Sequence, residues 1–117
     1  MSSAATHFNE TVIGSGFLDA ALQNWQPSSL PGFETVTLFE NTVTGESTSL
    51  MKAAPGAFAG SHTHTLQEEI YILEGEFSDQ YRTYTKGQYC IREAGEPHIS
   101  ASEGGCVVFL VYRANRN

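Results

Sequence analysis

GAFAGSHTHTLQEEIYILEG, residues 56–75, decides how this chain is read. His62 and His64 flank Thr63. On an extended strand, residues two apart share a face, so both imidazoles point to one side. Glu68 and Glu69 follow as EEIYILEG (68–75) opens the next strand. Neighbouring strand residues face opposite ways, so only one of these carboxylates can reach the imidazoles. A third imidazole, His98, comes later, after Gly95-Glu96-Pro97. Three neutral imidazoles and one carboxylate from separate strands form a ligand set for a single transition-metal ion, and several metals suit it. For zinc the expected bonds are about 2.0–2.2 Å. Apart from this grouping, HTH would read as a surface turn and His98 as an ordinary loop histidine.

Outward from this stretch the pattern is one of strands. ETVTLFE (34–40) alternates, with Val36 and Leu38 on one face; 41–46 is a turn, and STSLMKA (47–53) returns. Ala54-Pro55-Gly56-Ala57 breaks the run, and EFSD (76–79) is expected to pair back on EEIYILEG. RTYT (82–85), QYCIR (88–92) and PHISAS (97–102) are short strands, with a turn at Lys86-Gly87. CVVFLVYR (106–113) is apolar on both faces, which fits a strand buried on both sides. About nine or ten short strands separated by Gly, Pro and Asn turns predict an all-β antiparallel jelly-roll barrel. Before it, FLDAALQNW (17–25) spaces Phe17, Ala21 and Trp25 four apart, which predicts a short helix capped by Ser15 and stopped by Pro27. The expected organisation is an arm with that helix over 1–26, one barrel domain over 27–114, and a tail over 115–117.

The 117 residues suit one domain with a core that needs no disulfide staples. Six Lys and Arg against thirteen Asp and Glu give a net charge of −7. Without a basic stripe there is no electrostatic source for nucleic-acid binding, nor for attraction to an anionic membrane. No apolar run approaches the roughly 18 residues of a membrane span. Met1 to Asn9 carries no basic residue and no apolar core, so no signal peptide is read and a cytoplasmic location is expected. Cys90 and Cys106 lie far apart, form no CxxC pair, and read as reduced thiols.

The spacing Gly56, five residues, His62-x-His64, three residues, Glu68, six residues, Gly75 resembles the first motif of the cupins, GxxxxxHxHxxxExxxxxxG. The second cupin motif is matched at Gly87, Gly95 and His98, with Glu93 where Pro is usual and Ser102 where Asn is usual. From Trp25 to Arg113 the chain is similar to the cupin-like domain of ChrR-type anti-sigma factors, through the phrases PG, HTH, EEI, LEG, FSD, KGQY and EGGC. The resemblance implies the metal ligands His62, His64, Glu68 and His98, and selects Glu68 over Glu69. It implies one divalent transition metal per chain, Zn, Fe, Mn or Ni, and a representative that binds zinc and senses oxidative stress. Anti-sigma activity in that group belongs to a separate helical domain, and it is not expected here.

Around the ion a small apolar pocket is expected, with Ile70 and Ile72 on the face of Glu68. By alternation, Phe58, Tyr89, Ile91, Ser100 and Phe109 would join them. Gln67 and Ser100 are candidates to hydrogen-bond and orient the imidazoles. Tyr71, Leu73, Val108 and Leu110 are assigned to the opposite face, to be covered by the N-terminal helix or by a second subunit of a homodimer. Three functions remain open. One is a metal-dependent dioxygenase, or a related cupin enzyme, acting on a small chelating substrate. The second is a ChrR-like zinc-binding sensing or ligand-binding module without catalysis. The third is a metal-free barrel.

Overall fold

The computed structural model describes residues 10–12 and 14–114; the expected tail at 115–117 and residues 1–9 lie outside them. Eleven strands cross the described residues: β1 (Glu10–Val12), β2 (Ser15–Phe17), β3 (Gln26–Pro27), β4 (Phe33–Glu40), β5 (Ser47–Ala53), β6 (Ala57–His62), β7 (Gln67–Ser78), β8 (Thr83–Thr85), β9 (Tyr89–Arg92), β10 (His98–Ser102) and β11 (Cys106–Arg113). β1 and β2 form a separate hairpin. The others make one antiparallel curled sheet in the order β3-β4-β5-β11-β7-β10-β6, with β8 and β9 also paired to β7. This is the all-β jelly-roll architecture expected from the strand spacing.

β7 organises the molecule. Its first half pairs with β11 and β9, and its second half with β8 and β10. The change of partner comes at Gly75, where φ is +74° and a Cβ would lie 2.1 Å from the carbonyl oxygen of Gly105. Only glycine fits that crossing. Because the strand runs on through this point, residues 76–78 of EFSD continue β7 and do not fold back as a separate strand. Phe77, Ile70, Ile72, Phe33, Val108 and Leu110 close the core.

Two further sequence expectations are overturned. The first concerns FLDAALQNW, which forms no α-helix. Phe17 ends β2, a single 3-10 turn spans Ala20–Leu22, and its cap is Asp19, whose carboxylate accepts from the Ala21 amide at 3.0 Å. A run this short cannot repay helix nucleation without a buried face, and the turn buries none of its residues.

The second concerns the faces of β11. Val108 and Leu110 sit opposite Ile72 and Ile70 and point into the core, while Phe109 sits opposite Tyr71 on the outer face. Phe58, Tyr89 and Ile91 are 61%, 52% and 54% exposed and line no interior pocket. A strand apolar on both sides carries no face label of its own. Its register against β7 supplies one. Among the described residues, no helix is long and apolar enough to cross a membrane.

Candidate metal centre

Three chain segments converge at one end of the sheet. His62 is the last residue of β6, His64 lies two residues on in the link to β7, and His98 opens β10 directly opposite His62. Ring centroids are 5.0 Å apart for His62 and His64, 4.4 Å for His62 and His98, and 5.2 Å for His64 and His98. One ring nitrogen from each lies within 4.8 Å of the other two. The connection into β10 is clasped to the site, because the amide of Gly95 donates to the carbonyl of His64 at 2.8 Å.

The tautomers follow from the backbone. His62 Nδ1 lies 2.7 Å from the carbonyl of Gly60, and His98 Nδ1 lies 3.2 Å from that of Glu96. A carbonyl only accepts, so each Nδ1 carries the proton and each Nε2 keeps its lone pair. These carbonyls take the orienting role expected of Gln67 and Ser100. His98 is 2% exposed, and its Nε2 has no hydrogen-bond partner. Burial holds both His64 and His98 below the ordinary imidazole value, against the opposing pull of Glu68. Neutral rings with a buried, unpartnered lone pair fit a metal ion: an orphaned polar atom is costly, and coordination would satisfy it.

The two competing carboxylates separate cleanly. Glu68 is buried beside the imidazoles, with Oε2 at 3.2 Å from His64 Nε2 and Oε1 at 3.6 Å from His98 Nε2. Glu69 faces the other way, where it accepts from the Tyr89 hydroxyl and pairs with Arg113 Nε at 2.6 Å. Contact with Glu69 pushes the Tyr89 hydroxyl up to about 12.

Behind Glu68 lies a buried polar chain that sequence reading missed. Tyr112 donates to Glu68 Oε2 at 2.7 Å and lies 3.4 Å from His64 Nε2. Arg92 donates from Nε to Glu68 Oε1 at 3.3 Å and from Nη2 to Asp79 Oδ2 at 2.7 Å. Asp79 accepts further from the Tyr84 hydroxyl at 2.9 Å and from the amides of Tyr81 and Arg82. Burial, and then the charge of Glu68, raise the Tyr112 hydroxyl far above its usual range, so it stays protonated and donates. Arg92 and Asp79 are spaced like ordinary surface residues; the pairing of β9 onto β7 puts Arg92 inside, and Asp79 follows the last residue of β7.

Solved structures share this architecture. The SigE complex with the anti-sigma ChrR from Rhodobacter sphaeroides aligns at a TM-score of 0.66 and 16% identity, covering 82% of this chain. The chain spans about half, 51%, of the length of that relative. An RmlC-like cupin from Shewanella frigidimarina aligns at 0.75 and 16% identity, covering 97% of this chain and 96% of that one. An acetylacetone dioxygenase from Acinetobacter johnsonii aligns at 0.74 and 14% identity, covering 92% and 79%. At such identities the likeness establishes the fold. No curated protein sequence matches the chain. Residues 15–115 match the family model described as the ChrR cupin-like domain, and with the barrel and its convergent histidines already in place, the chain belongs to that family of cupins.

Proposed function

We propose that this protein is a metal-dependent cupin whose His62, His64 and His98, with Glu68 as a fourth donor, hold one divalent transition-metal ion and act on a small chelating ligand. The observation that carries the reading is the buried, unpartnered Nε2 of His98, set beside the other two imidazoles. A metal held there supplies Lewis acidity toward ligand oxygens and, where redox-active, a path to dioxygen. The chain's own groups do the rest. Gly60 and Glu96 carbonyls hold two rings in the metal-ready tautomer. Ile70, Ile72, Val108 and Leu110 are buried apolar residues of β7 and β11, the strands that carry Glu68 and Tyr112. Tyr112 keeps a donor beside Glu68 and His64. The buried cation nearest the site, Arg92, is already engaged by two carboxylates, which favours a neutral or chelating ligand over one recognised by charge alone.

The fold shared with an acetylacetone dioxygenase supports oxygen-dependent cleavage of a diketone-like compound as the reaction class. The family match with ChrR favours a second reading, a zinc-holding sensing module without catalysis. Elemental analysis of the protein from its own host comes first, followed by oxygen-uptake assays with β-diketones and thiols. Iron with substrate-dependent uptake supports the enzyme. Zinc bound by four protein donors, with no uptake, supports the sensor. Equal metal content in wild type, His62→Ala and His98→Ala would sink both. A second copy of the chain on the outer face, where Tyr71, Tyr89 and Ile91 are exposed, belongs to the same proposal, and light scattering tests it.

A further inference from the structure

The register of three adjacent strands sets Tyr112, Glu68 and Arg92 in one row. Tyr112 of β11 and Arg92 of β9 are the direct cross-strand partners of Glu68 on its two sides. Both side chains turn inward and bond the carboxylate, Tyr112 at Oε2 and Arg92 at Oε1. The carboxylate is thus gripped at both oxygens while both also lie near the imidazoles. Arg92 is in turn fixed by Asp79, and Asp79 by Tyr84 and two backbone amides.

We infer that Tyr112 and Arg92 are positioning residues that bracket Glu68 and hold its carboxylate beside His64 and His98, with Asp79 locking Arg92. The inference rests on the metal-centre reading above. Its physical basis is that a free glutamate rotates about three side-chain torsions and would lose that freedom on binding an ion, whereas a bracketed one has already lost it. A buried Arg between two carboxylates is a weak source of net stability, because desolvation offsets attraction, so a purely structural role explains its presence poorly. Arginine also suits this position because its planar fork reaches Glu68 and Asp79 from different nitrogens, which a lysine ammonium cannot do in the same geometry.

The test uses cobalt(II) as the probe, added to the metal-stripped full chain and read by competition with a chelator and by the visible absorption of the bound ion. Tyr112→Phe should weaken cobalt(II) binding about tenfold and shift its absorption bands, as loss of a group that orients a ligand does. In a Glu68→Ala background the same substitution should change neither. Arg92→Lys provides an independent variant, with an affinity loss in the same direction that likewise vanishes without Glu68. Wild-type affinity and spectrum in both variants would overturn the bracket, as would equal losses with and without Glu68. Wild-type binding by His98→Ala would instead overturn the metal centre itself, and the bracket with it.

Discussion

The amide of Gly95 and the carbonyl of His64 are joined by a 2.8 Å hydrogen bond that ties the approach to β10 onto the histidine link. With the pairing of β10 onto β6, this bond sets His98 beside the other two imidazoles, although 33 residues lie between His64 and His98. Gly95 makes the bond at a φ of +85°, where a Cβ would meet nothing within 4 Å. Gly95→Ala therefore introduces conformational strain without a clash. Stability should fall by about 1–2 kcal/mol, seen as a lower urea midpoint at unchanged slope, and metal affinity should fall as the His98 segment loosens. A variant as stable as wild type would show that the turn relaxes freely.

Gly75→Ala should behave differently. Its Cβ would stand 2.1 Å from the Gly105 carbonyl oxygen and 2.9 Å from Cys106 Cα, both backbone atoms that cannot swing away. A loss above about 4 kcal/mol is expected, an exceptional value tied to forced backbone displacement in the sheet. Expression in inclusion bodies, or a cooperative transition missing from a thermal scan, is the measurement. A soluble, cooperatively melting variant contradicts the crossing as described.

Metal should stabilise the barrel without being needed to form it, because the buried core, Phe33, Phe77, Ile70 and Val108 among it, is apolar and includes none of the histidines. At a free ion concentration of about a hundred times Kd, the gain is about 2.7 kcal/mol. Removal by a chelator should then lower Tm by roughly 10 °C and leave the far-ultraviolet strand signal intact. His62→Ala should erase the difference. Complete unfolding on chelation would place the ion among the structural elements of the fold.

Acid sensitivity should trace to Asp79. Burial alone would raise its carboxyl, but the Arg92 guanidinium, the amides of Arg82 and Tyr81, and the Tyr84 hydroxyl together hold it below the ordinary carboxylate value. A group depressed in the folded state stabilises fully above its unfolded value. That stability is lost as pH falls below about 4 and through the folded value. Asp79→Asn should flatten the acid limb of the stability curve. At neutral pH it should cost about 3 kcal/mol by stranding buried Arg92 with one fewer partner. Urea midpoints from pH 2.5 to 7 check both, and an unchanged acid limb would assign the sensitivity elsewhere.

Much of the fold is legible in the residue order. STSLMKA and CVVFLVYR coincide with β5 and β11, because turn residues bound each run. The paired histidines and His98 are visible as donor types at ligand spacing, and the structure draws the three together. Other features are hidden for identifiable reasons. FLDAALQNW has helical spacing but no surface to bury it on. EEIYILEG and EFSD read as two strands because Gly75 looks like a turn until Gly105 is set against it. Arg92 and Asp79 carry no local mark, since charged residues are more often solvated, and Tyr112 reads locally as one more residue of an apolar strand.

Residue order alone marked the ends of runs such as β5 and β11 and which side chains could coordinate a cation, because both depend on neighbours within a few positions. Which face of each strand turns inward, which glutamate meets the imidazoles, and what grips it were decided by register between segments far apart in the chain. Slipping one strand by a single residue exchanges every inward side chain for an outward one, and only the closed sheet forbids the slip.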